Sequence, residues 1–234
     1  MLSEVKRRAD DLHLKIAEAA KLEVFMASTA LLRLALTYAE SVQVLMRSEE
    51  LDGTGPLQRA IYELWLDHSY LHRHGDPAEN SIRLQVNSHL EILAFARERL
   101  PPNAVELATN VLNKFEHEHP AIVEEVRRQR ANRRYHWSGL SWSAIDRELH
   151  GSADLYRTLS WEAHAVMAPI RDVDVSGDPA NARFAFGPKN VVNLQEKHIA
   201  NFVGGVVFFM WNEWAKYFGI SLIVVPEDRD WNEP

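Results

Sequence analysis

Apolar residues between Ser3 and Glu50 recur at helical spacing, at Leu12, Ile16, Leu22, Phe25, Leu31, Leu34 and Tyr38, with no Gly or Pro among them. The pattern predicts one long helix or two joined end to end. Asp52-Gly53-Thr54-Gly55-Pro56 stops it, and Pro56 suits the first turn of a second helix running to about Leu71. A break from Arg73 to Pro77 precedes a stretch of helix to Leu100, closed by Pro101-Pro102. A fourth helix starts near Asn103. Pro120 interrupts it by removing a backbone donor, and another helix covers Ala121 to Arg134.

From His136 to Gly151 the chain reads HWSGLSWSAIDRELHG, turn residues with two tryptophans, which predicts a loop with a short helical piece. Ser152 is placed to cap the next helix, and Met167-Ala168-Pro169-Ile170 ends it. Arg171 to Lys189 is rich in Asp, Gly, Pro and Asn and is the longest expected irregular segment. Asn190 to Phe218 returns to helix. Its apolar run, Ile199 to Trp211, is shorter than the roughly 20 residues a membrane-crossing helix needs, so it reads as a buried core helix. The sum is an all-α fold: a single-domain helical bundle of about six to seven helices over residues 1–219, with a long loop before the last helix and a C-terminal tail at 220–234.

Composition narrows the setting. The chain has 234 residues, 46% of them hydrophobic and 25% charged, which suits one globular domain. The absence of cysteine excludes disulfides, thiol catalysis and cysteine metal sites and fits a reducing compartment, so a cytoplasmic location is expected. The start, MLSEVKRRADDLHL, lacks the continuous apolar core of a secretory leader, and no membrane association is expected.

A formal net charge of −7 argues against nonspecific coating of nucleic acid but leaves room for a local basic site. The candidate is Arg127, Arg128, Arg130, Arg133 and Arg134, following Glu124 and Glu125. This also reads as a solvated helix whose acidic start and basic end complement its dipole. Placement of these arginines and Arg157 on one face would favour RNA; dispersal would count against it.

Candidate chemistry concentrates in YRTLSWEAH. Tyr156, Ser160 and His164 are four residues apart and would share one helix face. Arg157 and His164 align angularly but stand roughly 10.5 Å apart along the axis, so two antiparallel copies would pair the Arg of one with the His of the other more readily than one copy would bring both to a ligand. An arginine to bind a phosphate and a histidine to move a proton suit phosphodiester chemistry. Arg59 and Glu63, one turn apart on the second helix, are expected either as a surface ion pair or as a partner for the Tyr156 helix. No cofactor or metal is expected: Glu-x-x-His occurs once, at Glu116 and His119, His68, His72 and His74 surround one helix end, and neither phosphate-cradling nor dinucleotide glycine motifs are present.

The set Arg59-x-x-x-Glu63, HWSGLS and Tyr156-Arg157-x-Leu159-Ser160-x-x-x-His164 resembles a bacterial all-helical family catalogued as a domain of unknown function, over Phe25 to Ala215. Arg157 and His164 also resemble the Arg-x(4–6)-His motif of the HEPN superfamily, although Thr158 stands where a polar Asn, Asp or His commonly follows the Arg. That resemblance implies a metal-independent endoribonuclease of a toxin or phage-defence system, with a composite site in a homodimer. Arg157 would hold the scissile phosphate and His164 would assist attack by the ribose 2′-hydroxyl, with Arg59, Glu63, Tyr156 and Ser160 in support. The implied partners are RNA, a second copy of the chain, and a cognate antitoxin or defence partner protein. Two other readings stay open: a noncatalytic helical interaction module with these residues as a buried polar network, and a helical pocket for a small anionic ligand.

Overall fold

The Gly- and Pro-free start of the chain yields two separate helices, α1 (Leu2–Asp10) and α2 (Ala19–Arg47), in the structure, a computed structural model. It describes residues 2–10, 18–48, 51–95, 99, 101–134, 136–163, 173–176, 183–186 and 192–223. After a 3₁₀ turn at Leu51–Gly53 come α3 (Thr54–Arg73), α4 (Pro77–Phe95), α5 (Pro102–Glu118) and α6 (Pro120–Ala131). Then follow α7 (Trp142–His150), α8 (Asp154–Ala163) and α9 (Val192–Phe218).

Prolines open three of these helices, α4, α5 and α6, at first-turn positions where a missing N–H costs no intrahelical bond. Ser141 caps α7, its hydroxyl accepting from Ala144 N, and Gly151 ends α7 with φ of 79°, a left-handed conformation that favours glycine. Ser152 Oγ accepts from Asp154 N at 3.5 Å, a long contact at the start of α8. The expected end of α8 near Met167 lies outside the described residues.

The fold is all-α, with nine α-helices among the described residues rather than six to seven. The excess arises because the first run divides in two and the segment after HWSGLS winds into nine residues of helix. Within the segment expected as irregular, Val173–Ser176 and Arg183–Phe186 pair antiparallel, with Val173 opposite Phe186 and Ser176 opposite Arg183.

α3 is the hub. It packs against α2, α4, α7, α8 and α9 and buries Ile61, Tyr62, Leu66, Tyr70 and Leu71. α9 supplies Val203, Val207, Met210, Trp211 and Trp214 to the same core. The segment Lys21–Arg47 of α2 is long and apolar enough to cross a bilayer, and α2 lies against α3, α4 and α9. A smaller core of Ile82, Val86, Leu112, Phe115, Val123 and Val126 fixes α5 and α6 on α4. Beyond α9, Ile223 is buried, tied by its backbone N–H and C=O to the Asn212 amide at 3.0 and 3.2 Å.

Because α3 is enclosed on several sides, its polar residues must find partners inside the protein or forfeit hydration without return. Those partners build the site.

Candidate functional site

α3 turns Arg59 and Glu63 toward α8, where they meet Tyr156. Arg59 Nε donates to Glu63 Oε1 at 2.9 Å, and Arg59 Nη2 donates to the Tyr156 hydroxyl at 3.1 Å. That hydroxyl in turn donates to Glu63 Oε1 at 3.3 Å, closing a triangle. The guanidinium carbon also stands 5.5 Å from the Tyr156 ring centroid, within cation–π range. Burial and the Glu63 charge push the Tyr156 hydroxyl pKa up against the opposing pull of Arg59, so at neutral pH it keeps its proton and can donate. For Arg59, burial works against the charge but Glu63 outweighs it, and the guanidinium pKa is raised. Of the two expected roles for Arg59 and Glu63, the pair has the second: it lies against the Tyr156 helix.

The remaining motif residues are not gathered there. Arg157 is exposed, and its Nη1 donates to Asp154 Oδ1 at 3.3 Å, one turn back on α8. Ser160 is half-buried, next to the buried Leu159. His164 lies outside the described residues.

Two buried carboxylates, Asp67 on α3 and Asp146 on α7, hold further polar groups nearby. Asp67 Oδ1 accepts from Trp137 Nε1 at 2.5 Å and from His136 Nε2 at 2.8 Å. The other ring nitrogen of His136, Nδ1, lies 2.7 Å from the Ser138 hydroxyl. Asp146, on α7, is 1% exposed and accepts from three sources. The Tyr62 hydroxyl approaches Oδ1 at 2.8 Å, His150 Nδ1 the same oxygen at 2.9 Å, and the Tyr156 N–H reaches Oδ2 at 3.4 Å. Burial, then Asp146, pushes the Tyr62 pKa far up.

Beside this network opens a cleft of about 610 Å³, lined by Arg133, Arg134, His136, Trp142 and Tyr156 among others. Trp142 meets His136 edge to face at 4.3 Å. Arg133 enters the cleft from an unusual backbone position. Asn132 ends α6, Arg133 N donates to Arg130 O at 2.9 Å, and Arg134 N donates to Gln129 O at 3.0 Å. This is the Schellman pattern, whose left-handed residue is most often Gly. Here it is Arg133, at φ of 59°. The left-handed region costs a Cβ-bearing residue roughly 1–2 kcal/mol, so the chain carries an arginine where glycine would be more stable.

The five arginines after Glu125 do not form one basic face. Arg127 pairs with Glu116, and Arg130 donates to Asn87 Oδ1 at 2.8 Å. Arg133 and Arg134 are exposed, line the cleft and have no ion pair among the described residues. No group of three or more His, Asp or Glu side chains among the described residues is placed to hold a metal ion.

No family model, curated protein or solved structure matches the chain.

Sequence reasoning placed Arg59, Glu63 and Tyr156 in the candidate site but missed Asp67, His136, Asp146 and His150 as members of its network. Their signal was faint. Asp67-His68-Ser69 is a polar triplet inside a helix that is otherwise apolar on several faces, a hint that the helix is enclosed and internally partnered.

Proposed function

We propose that the protein binds RNA in the cleft between the end of α6 and the start of α8. The observation that carries this reading is Arg133, held left-handed at a position that favours glycine, beside Arg134 and without an ion pair among the described residues. Unneutralised arginines recognise phosphate bidentately. Trp142 in the same lining offers a ring of the kind on which unpaired bases stack, while the Tyr156 ring is met by the Arg59 guanidinium. Only two arginines line the cleft and the others are dispersed, which counts against a long basic groove for RNA and leaves a local contact with one or two phosphates.

In its stronger form the reading is a HEPN-like metal-independent endoribonuclease in a bacterial toxin or phage-defence setting. Exposed Arg157 would reach the His164 of a second copy, and the homodimer would act in the cytoplasm under a cognate antitoxin or defence partner. A second reading is favoured by the closed Arg59–Glu63–Tyr156 triangle, whose three groups satisfy one another: a noncatalytic interaction module in which that triangle fixes α8 on α3.

The test is incubation of total RNA with wild-type protein and with His164→Ala in excess chelator, with thermal melting of both. Cleavage lost in a folded variant supports the nuclease. Binding without cleavage leaves the RNA-binding form. Neither binding nor cleavage, with a lower melting temperature for His164→Ala, gives the lead to the interaction module.

A further inference from the structure

The cleft that carries Arg133 and Arg134 has two unlike walls. The chain just past α6 supplies the cations, and the segment leading into α7 supplies His136, Gly139, Leu140, Ser141 and Trp142. From His136 to Leu140 that segment runs in turns rather than helix, so its position depends on what its side chains grip. One buried oxygen on α3 grips two of them in succession. Asp67 Oδ1 accepts from Trp137 Nε1 at 2.5 Å and lies 2.8 Å from His136 Nε2, and the buried Trp137 ring stands edge to face on Tyr70 of α3 at 5.7 Å. On the opposite side Gly139, at φ of 74°, lies so close to α6 that a Cβ there would stand 3.1 Å from the Gln129 amide nitrogen. The turn is tied internally by Ser138, whose hydroxyl lies 2.7 Å from His136 Nδ1 and accepts from Leu140 N at 3.2 Å.

Trp142 takes its orientation from this arrangement. Its ring meets that of His136 at 4.3 Å and 72°, an edge-on contact that does not sandwich the indole, and Trp142 is half-buried in the cleft lining. Asp67 itself is buried and does not line the cleft. Its influence there passes through His136.

The geometry points to Asp67 as the positioning residue that makes this cleft selective for unpaired bases, acting through His136 on Trp142. A single strand can place a base on the Trp142 ring while an adjoining phosphate meets Arg133 and Arg134. A duplex keeps its bases paired and stacked on one another, so it offers the arginines phosphate alone. The inference rests on the RNA reading of the cleft and assigns the two walls different tasks, phosphate to the arginines and base to the ring that Asp67 and His136 hold.

Fluorescence anisotropy of the full chain with a labelled single-stranded RNA and with the duplex of the same sequence tests it, with melting curves for every variant. Wild type binds the single strand about fivefold or more tighter than the duplex. Trp142→Ala removes the ring, and His136→Phe keeps a ring beside Trp142 but cannot bond to Asp67. Each weakens single-strand binding about fivefold or more and leaves duplex binding and its salt dependence unchanged. Asp67→Ala has the same effect, and Asp67→Asn, which keeps an acceptor oxygen, restores part of the preference. Variants that melt lower but keep the wild-type ratio of single-strand to duplex affinity overturn the positioning role, as does a loss shared equally by both ligands. Binding that depends on Arg133 and Arg134 but shows no preference for the single strand overturns this inference alone, whereas no RNA binding by folded wild type overturns the reading of the cleft together with it.

Discussion

Arg59 and Tyr156, 97 residues apart in sequence, meet through a 3.1 Å hydrogen bond while both engage Glu63 Oε1. This contact anchors α8, the helix that carries the candidate chemistry, on α3, the centre of the bundle. The Arg59–Glu63 pair is about one-fifth exposed on each side chain, so it is screened less than a surface pair. Glu63→Ala removes the shared acceptor and is expected to lower stability by about 1–3 kcal/mol, whereas Tyr156→Phe costs about 0.5–1.5 kcal/mol. Urea unfolding of the two variants checks the order; an equal, near-zero effect would remove the triangle as the anchor of α8.

Asp146 joins α3, α7 and α8 through Tyr62, His150 and the Tyr156 backbone. Asp146→Ala leaves the Tyr62 hydroxyl in the core without its acceptor and is expected to cost about 3 kcal/mol or more. Asp146→Asn keeps an acceptor oxygen and should cost less. Thermal melting of both variants reads the difference.

Arg133 sets stability against binding. Arg133→Gly relieves the left-handed strain and is expected to raise stability by up to about 1 kcal/mol. The same change removes a cation from the cleft and weakens RNA binding. A variant that is less stable than wild type would show that Arg133 holds its position for a structural contact instead.

Acid stability follows from His72 and Glu213. The pKa of His72 is 6.5 for an ordinary histidine and about 3 here, lowered by burial and His68. Between those values the unfolded chain binds a proton that the folded chain excludes, so this contribution is full above pH 6.5 and is lost as the pH falls toward 3. For Glu213 burial pulls upward, but the His68 and Arg73 hydrogen bonds and charges prevail and lower the pKa from 4.5 to about 2, so its contribution is lost below pH 4.5. His72→Phe is therefore expected to flatten the decline in melting temperature between pH 6.5 and 4.5 while leaving the steeper fall below it. An unchanged slope would contradict the buried neutral state of His72.

The helical periods, the proline starts of α5 and α6 and the helical nature of the apolar run in α9 were legible in the sequence because each depends on local spacing or on a backbone constraint carried by one residue; that run was expected to be buried, but it buries only one side and leaves Phe209 exposed. The division of the first run into α1 and α2 was left open, since apolar spacing alone does not say where a helix stops. The Val173–Ser176 and Arg183–Phe186 pairing was not legible: strands of four residues amid Gly, Pro and Asp carry little period of their own. At the site, Arg59, Glu63 and Tyr156 were recognisable as residue types, but their contact is tertiary. Asp67 and Asp146 were missed because a carboxylate in sequence reads as solvated until its burial is known. Arg157 looked aligned with the site by residue type, yet it is exposed and pairs with Asp154 one turn away.

The central claim, that Arg133 and Arg134 bind RNA phosphate, is tested most directly by fluorescence anisotropy of a labelled single-stranded RNA across a salt series. The comparison is between wild type and the Arg133→Ala/Arg134→Ala double variant, with melting curves for both. Wild type should bind with an affinity that falls as salt rises, and the double variant should bind at least about tenfold more weakly with a shallower salt slope while remaining folded. Absence of binding by folded wild type, or equal binding and equal slope in the double variant, would contradict it.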